Sequence, residues 1–369
     1  MEKQSKRILI IGLTERMGGV ETFIFNTTTH SDKTKYKYDY LVHGTDHCIF
    51  EDEINDFYDD GEKHIFFIKK YKEDILGCIK DLRKFYAENG QKYDYIHFQS
   101  GSTAEILYVY PFCKKYNFEV ISHSHNGNGY SPVVNSIFRR VVNKITTKRL
   151  SCSAEATRWL FGEGYLNKTQ IIVNGVDTDR FTYDESKRFK IRKQYSLSDE
   201  LIIGHIGRFS EQKNHAFILQ IFKSVLKRRP DAKLLLVGVG ELQDNIKKMS
   251  RTLGSDKSVI FAEEQMRTED YYSAFDVFLM PSLYEGLPIV GVEAQCEGLE
   301  CLFSDQIDKQ ILITDRARMI SLDESPEVWA DVILSIEIKD RTRYSNEIKK
   351  SGYSLTDTVK KLEAVYEVY

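Results

Sequence analysis

The sequence predicts an α/β protein built as two doubly wound halves, each a parallel sheet with helices on its faces. Three observations predict it. Short apolar runs alternate with longer amphipathic stretches, the rhythm of repeated βαβ units. That rhythm occurs twice, with a charge-rich segment over 183–200 that reads as helix plus linker between the two series. At 369 residues the chain is also longer than one ordinary core organises. The expected divisions are an N-terminal half over 1–190, a C-terminal half over 191–352 and a terminal amphipathic helix over 353–369.

The first strand is 7–12 (RILIIG), apolar throughout because both faces of a parallel sheet are covered. Further strands are expected at 40–43, 64–68, 95–98, 119–122 and 171–173, with helices over 104–115 and 133–147. The second series opens at 201–207 (LIIGHIG). Ile218, Ile221, Phe222, Val225 and Leu226 then mark one helix face, and Pro230 follows its end. Strands at 233–238, 259–262, 276–281 and 301–304 complete the second half.

The bulk properties narrow the function. A net charge of −3 gives no global attraction to nucleic acid. No run of eighteen apolar residues is present to span a bilayer, and the start, MEKQSKRILIIG, lacks the apolar core of a signal peptide. The six cysteines show no C-x-x-C pair and no zinc spacing, which fits a reducing cytoplasm.

Ligands of doubly wound sheets bind beyond the carboxyl ends of the strands, where helices begin. Each motif falls at such a place. In SLYEGLPIVGVEAQ, Glu285 and Glu293 stand eight positions apart, about 80° around a helix axis. Gly286, Leu287 and Pro288 mark the turn from loop into helix, so Glu285 faces a ligand from the loop and Glu293 from two turns in. Free amides at such a helix start bind phosphate, and carboxylates beside them accept hydrogen bonds from sugar or ribose hydroxyls. GRFSEQKNH (207–215) follows a strand directly. After Gly207 it sets Arg208 and Lys213 five apart, a planar fork and a mobile point charge suited to a diphosphate. Gly18 and Gly19 follow the first strand and open a helix, letting backbone approach a bulky polar ligand. SHSHNG places His125, with His123 as the alternative, at the end of another strand. Two histidines two apart also form a metal pattern, but no obvious further ligands accompany them, and no metal is expected.

E-x7-E within YEGLPIVGVEAQ, together with G-R-F-x-x-x-K-N, resembles the signature of retaining glycosyltransferases of family 4. With FSD (303–305) and SLDESPEVWA (321–330), the chain is similar to EpsF-type bacterial exopolysaccharide and capsule transferases. The resemblance covers nearly the whole chain and is strongest over 201–314. It implies the GT-B fold, two Rossmann-like domains facing a cleft. It further implies that Glu285 meets the donor sugar hydroxyls, Glu293 the ribose, and Arg208 with Lys213 the leaving nucleoside diphosphate. His125 would reach the anomeric region, Gly18 and Gly19 the donor phosphate and acceptor, and Gly238 and Gly240 the edge of the nucleotide. Met266, within AEEQM where the family commonly has a glycine, would lie near the base. Asp177 and Asp179 imitate a metal-binding D-x-D, but within N-G-V-D they read as a turn. Asp94, His97 and Gln99 resemble D-x-x-H-x-H with Gln99 in place of the second histidine, so nothing catalytic is assigned there.

The activity implied is retaining, metal-independent transfer of a hexose from a nucleoside-diphosphate sugar, a UDP-sugar by expectation. The acceptor would be a glycan or lipid-diphosphate-linked saccharide in polysaccharide assembly. Alternatives are a nucleotide-sugar 2-epimerase of the same fold and a non-catalytic assembly subunit. Residues 120–154 contain no acid while Arg139, Arg140, Lys144, Lys148 and Arg149 accumulate, with Arg140, Lys144 and Lys148 expected on one helix face. A basic amphipathic helix of this kind suits an anionic membrane and a cytoplasmic enzyme at its inner face.

Overall fold

The RILIIG run forms β1 (Lys6–Ile11), whose Ile8, Leu9, Ile10 and Ile11 are all buried, as a central parallel strand requires. In the computed structural model, residues 5–44, 46–100, 102–125, 132–263, 265, 267–337 and 340–367 are described. The chain divides into two compact units, one of residues 1–175 with 355–369, the other of 176–354.

In the first unit, β1 is followed by α1 (Gly19–Thr29), β2 (Tyr36–His43), α2 (Glu51–Tyr58), β3 (Ile65–Ile68) and α3 (Ile75–Asn89). Then come β4 (Tyr95–Ser100), α4 (Cys113–Tyr116), β5 (Glu119–Ser124), α5 (Pro132–Ile145), β6 (Lys148–Ser151), α6 (Ala154–Leu160) and β7 (Gln170–Ile171). The strands form one parallel sheet in the order β3-β2-β1-β4-β5-β6-β7. Its direction of winding reverses between β1 and β4, which opens a crevice at their carboxyl ends.

The second unit carries α7 (Glu185–Gln194), β8 (Ile202–Ile206), α8 (His215–Leu226), β9 (Lys233–Val237), α9 (Gln243–Thr252) and β10 (Val259–Ala262). It continues with α10 (Thr268–Ala274), β11 (Val277–Met280), α11 (Ile289–Cys296), β12 (Glu300–Ser304), β13 (Ala317–Ile320), α12 (Pro326–Leu334) and α13 (Tyr344–Lys350). Its sheet, β10-β9-β8-β11-β12-β13, is also parallel and reverses between β8 and β11. Ile218, Ile221, Phe222 and Val225 of α8 are wholly buried in its core. Each such side chain contributes about 1.5–3 kcal/mol relative to exposure.

The last helix, α14 (Leu355–Glu367), returns to the first unit, where Leu362, Val365 and Tyr366 join the core beneath β1 and β2. The division at 175/176 falls earlier than the boundary expected at 190. The reason is α7, which is tied to the second unit by Arg188 and Arg192, both donating to the Asp276 carboxylate.

Two expectations about the first half are corrected. The helix expected over 104–115 is a 3-10 turn over 103–108, then α4 from Cys113. Pro111 between them has no amide to donate and its ring crowds the preceding turn. The basic helix ends at Ile145, so Lys148 and Arg149 lie on β6. Thr146 turns the chain by donating to the Val142 carbonyl, and the Thr147 amide then pairs with Val120. Among the described residues no helix is long and apolar enough to cross a membrane. No disulfide forms, and all the cysteines but Cys113 are buried.

Candidate active site

At the winding reversal of the second unit, the loop after β8 meets the loop after β11. The Leu283 amide donates to the Gln212 carbonyl at 2.8 Å, and the Gln212 side chain returns a bond to the Tyr284 carbonyl at 3.0 Å. Between these anchors Lys213 Nζ donates to Glu285 Oε1 at 2.5 Å, with both side chains largely buried. Arg208 is more open and pairs with Glu241 at 3.2 Å. The structure thus brings Lys213 and Glu285 together from 72 residues apart and gives Arg208 a carboxylate that the sequence reading did not single out.

The helix behind Glu285 begins at Ile289, because Pro288 stands in extended conformation as its cap. Pro288 offers no side-chain cap, so among the described residues no side chain takes its first amides and they stay available to an anion. Leu287 and Pro288 are buried and anchor the turn, whereas the side of Gly286 that lacks a Cβ faces open space. Glu293 therefore sits little more than one turn into α11, not two, since Gly286 to Pro288 remain outside the helix. It is buried and accepts from the Tyr272 hydroxyl at 2.9 Å. Burial pushes its carboxyl up to about 7, opposed by the Tyr272 bond and the nearby Arg180 charge.

The glycines of the neighbouring loop have a packing reason. A Cβ on Gly238, at φ +136°, would meet the Gly207 carbonyl at 2.3 Å, and one on Gly240 would meet the Phe209 backbone at 2.6 Å. They let the β9 loop press against the β8 loop, which holds Arg208 in place through the bond from the Phe209 amide to the Val239 carbonyl. Beneath Lys213 lie His205 and His215, wholly buried, with ring centroids 4.8 Å apart. Burial lowers them to about 3 and about 2, so they are neutral and leave Lys213 the cation of this layer.

The first unit has its own crevice. Gly18 caps α1 in extended conformation, and Gly19 is its first residue. Glu21 of that first turn accepts from Thr14 at 2.8 Å, and burial raises its carboxyl. His125, just past β5, bonds through Nε2 to Gln99 Oε1 at 2.6 Å, and its ring lies against Phe23 at 4.7 Å. Burial pulls it down to about 4, with Asn174 opposing, so the ring is neutral. His123 is wholly buried and bonds through Nδ1 to His97 at 3.3 Å, which in turn bonds to the Tyr366 hydroxyl at 2.7 Å. Of the two histidines, His125 is the one with partial exposure at the strand end. Met266 lies outside the described residues, as do residues 126–131 that follow His125.

Two family models match this chain: Glycosyltransferase Family 4 over residues 17–180 and Glycosyl transferases group 1 over residues 187–353. The chain is a GT-B glycosyltransferase of the family 4 type. It is 29% identical to the glycosyltransferase EpsF of Bacillus subtilis (strain 168), covering 100% of this chain and 98% of EpsF. It is 24% identical to the UDP-Gal:alpha-D-GlcNAc-diphosphoundecaprenol alpha-1,3-galactosyltransferase of Escherichia coli, over 86% of this chain and 87% of that protein. The crystal structure of Anabaena HepE in complex with UDP-glucose matches with a TM-score of 0.81 at 16% identity, covering 98% and 100% of the two chains. That likeness carries the fold.

Within this glycosyltransferase the D-x-D imitation is a turn: Asp177 Oδ1 accepts from the amides of Asp179 and Arg180 at 3.1 and 3.0 Å. Among the described residues no group of three His, Cys, Asp or Glu gathers as a metal centre would. Sequence reasoning missed Tyr272, Glu241 and the hold of Gln99 on His125. Tyr272 and Glu241 carry no local motif, because their roles arise from packing against residues far along the chain.

Proposed function

We propose that this glycosyltransferase moves a hexose from a UDP-sugar to a glycan or lipid-diphosphate-linked acceptor, with retention, in bacterial polysaccharide assembly. The observation that carries the proposal is Lys213 on Glu285 beside the uncapped start of α11. This is a cation, a hydroxyl-accepting carboxylate and free amides in one place. The reaction separates an oxocarbenium-like sugar from a diphosphate, so it needs positive charge at the leaving group more than a nucleophile. Lys213, Arg208 and the α11 amides supply that charge without a metal, each charged contact contributing about 2 kcal/mol. As the diphosphate enters, Lys213 exchanges Glu285 for phosphate oxygens, and Glu285 turns to the sugar hydroxyls. Glu293, half-protonated near pH 7, takes the ribose hydroxyls. His125 stands on the first unit as a neutral hydrogen-bonding group for the sugar. The Escherichia coli galactosyltransferase, which uses UDP-Gal and a diphosphoundecaprenol-linked acceptor, and the Anabaena HepE structure in complex with UDP-glucose support this choice of substrates.

A peripheral site at the cytoplasmic face of a membrane belongs to the same proposal, with a smaller set of cations than the sequence suggested. Arg139 donates to the Trp159 carbonyl, Lys148 to the Val365 carbonyl and Arg149 to the Asn143 carbonyl. Arg140 and Lys144 remain exposed on α5, one helix face with exposed Val133 and Ile137.

The test is titration of UDP and GDP by calorimetry, followed by a mass-resolved screen of nucleotide sugars with lipid-linked acceptors. Diphosphate affinity unchanged in Arg208→Ala and Lys213→Ala would sink the proposed donor site. Turnover of the sugar nucleotide to its 2-epimer without acceptor would favour the epimerase reading instead.

A further inference from the structure

Glu293 is 5% exposed on α11, and Tyr272 of α10 is wholly buried beside it. Arg341 ties the two helices together, donating through Nη2 to the Tyr272 carbonyl at 2.9 Å and through Nε to the Glu297 carbonyl at 2.8 Å. Phe181 and Phe278 pack on the Tyr272 ring, with centroids 5.9 and 5.7 Å away. The hydroxyl so placed has two acceptors within reach, Glu293 Oε2 at 2.9 Å and the Val290 carbonyl at 3.1 Å. A phenol has one proton to donate and lone pairs with which to accept. With Glu293 ionised, that proton goes to Oε2. With Glu293 neutral, Oε2 carries a proton and donates to the phenol oxygen, and the phenol donates to Val290. Both arrangements use the same atoms in the same positions, and both leave Oε1 as an acceptor. Among the described residues no other hydrogen bond reaches the Glu293 carboxyl.

We infer that Tyr272 is a positioning residue that holds Glu293 by Oε2 whether or not the carboxyl carries its proton, so that Oε1 accepts from the ribose hydroxyls in either state. This role rests on the proposed function for its ligand. It meets a difficulty that burial creates, since a carboxyl raised to about 7 changes its charge near neutral pH. Among the described residues the other charges that face Glu293 are Arg180 and Glu269 of α10, themselves paired at 2.8 Å. Glu297, one turn further along α11, accepts from Ser273 at 2.8 Å, lies 3.7 Å from Arg341 and is likewise raised to about 7 by burial. Asp177 and Asp179 add negative charge around the neighbouring Cys296. These charges set how easily Glu293 ionises, while Tyr272 sets where its oxygens point.

Calorimetry of the full chain with UDP and with 2′,3′-dideoxy-UDP gives an affinity ratio that isolates the ribose hydroxyls, because base and phosphates are common to both. The wild-type ratio should be about tenfold, one net hydrogen bond, and constant within about twofold from pH 6 to pH 8. In Tyr272→Phe the ratio should fall about fivefold at pH 6, where the proton is free to sit on either oxygen, and recover towards pH 9. Loss of a hydrogen bond that favours the ionised form also moves the Glu293 titration upward, which carbon NMR of glutamate-labelled protein reads. Glu293→Gln, whose amide nitrogen can donate to Tyr272 while its oxygen accepts, should lose less of the ratio than Glu293→Asp, which keeps the charge but retreats from the hydroxyl. A wild-type ratio that changes about tenfold between pH 6 and pH 8 overturns the inference. So does a Tyr272→Phe ratio equal to the wild type at pH 6, or a smaller loss in Glu293→Asp than in Glu293→Gln. A wild-type ratio near one at every pH would instead remove Glu293 from the ribose and sink that part of the proposed function. An NMR titration unshifted in Tyr272→Phe would separately sink the hold of Tyr272 on the carboxyl.

Discussion

The two winding reversals of this chain are built from opposite materials. In the second unit the reversal holds charge: Lys213 on Glu285 and Arg208 on Glu241, with an uncapped helix start beside them. In the first unit it holds buried or half-buried neutral polar groups: His125 on Gln99, and His123 on His97 on Tyr366. A diphosphate can enter the first kind by exchanging ion-pair partners, at little net cost. The second kind cannot take up a charge without the full penalty of desolvation, and is suited to uncharged hydroxyls. The same topology thus presents two kinds of side-chain chemistry at its crevices.

The largest effect that separates them is expected from Lys213→Ala. It removes the cation and leaves Glu285 facing the diphosphate, so affinity for UDP should fall on the order of 100-fold by calorimetry. Equal affinity in the variant would mean the charged reversal is not the donor site. Glu285→Gln should part binding from turnover. UDP affinity holds or rises because Lys213 loses its competitor, while sugar transfer falls by on the order of 100-fold.

Acidity distinguishes the two materials by sign. His97 is held neutral by burial, at about 3 against the ordinary 6.5. Its contribution to stability is complete above pH 6.5 and is lost as pH falls towards 3. Glu293 is raised from 4.5 to about 7, so the folded state keeps its proton longer than the unfolded chain. Its contribution is complete below pH 4.5 and is lost as pH rises through 7. Urea unfolding from pH 4 to 8 should show His97→Phe flattening the acid limb and Glu293→Gln the neutral limb, each by on the order of 2–3 kcal/mol. Parallel curves for variant and wild type would refute this division.

The smallest effect is expected from Glu241→Gln. The pair with Arg208 is solvent-exposed, so stability should change by less than about 0.5 kcal/mol. UDP affinity should rise about twofold at low salt and return to the wild-type value at high salt.

The alternation of apolar runs and the glycines after β1, β8 and β9 place the strands and their loops directly, because a strand covered on both faces must be apolar along its length. The short β6 was not legible. Its KRLS carries two cations, which are accommodated only because Lys148 reaches the Val365 carbonyl and Arg149 stacks on Tyr165. The edge strand β13 (ARMI) was missed for the same reason, since Arg318 finds Glu300 across the sheet.

By itself the sequence determined the two parallel sheets, the order of their loops and the residue types at each carboxyl end, since periodicity and local turn chemistry are properties of neighbours in the chain. Only the tertiary structure decided which of those residues face one another. The hold of Lys213 on Glu285, of Tyr272 on Glu293 and of Gln99 on His125 joins segments 72, 21 and 26 residues apart. Such pairings follow from strand order and burial, which set protonation as well as distance, and no local spacing encodes them.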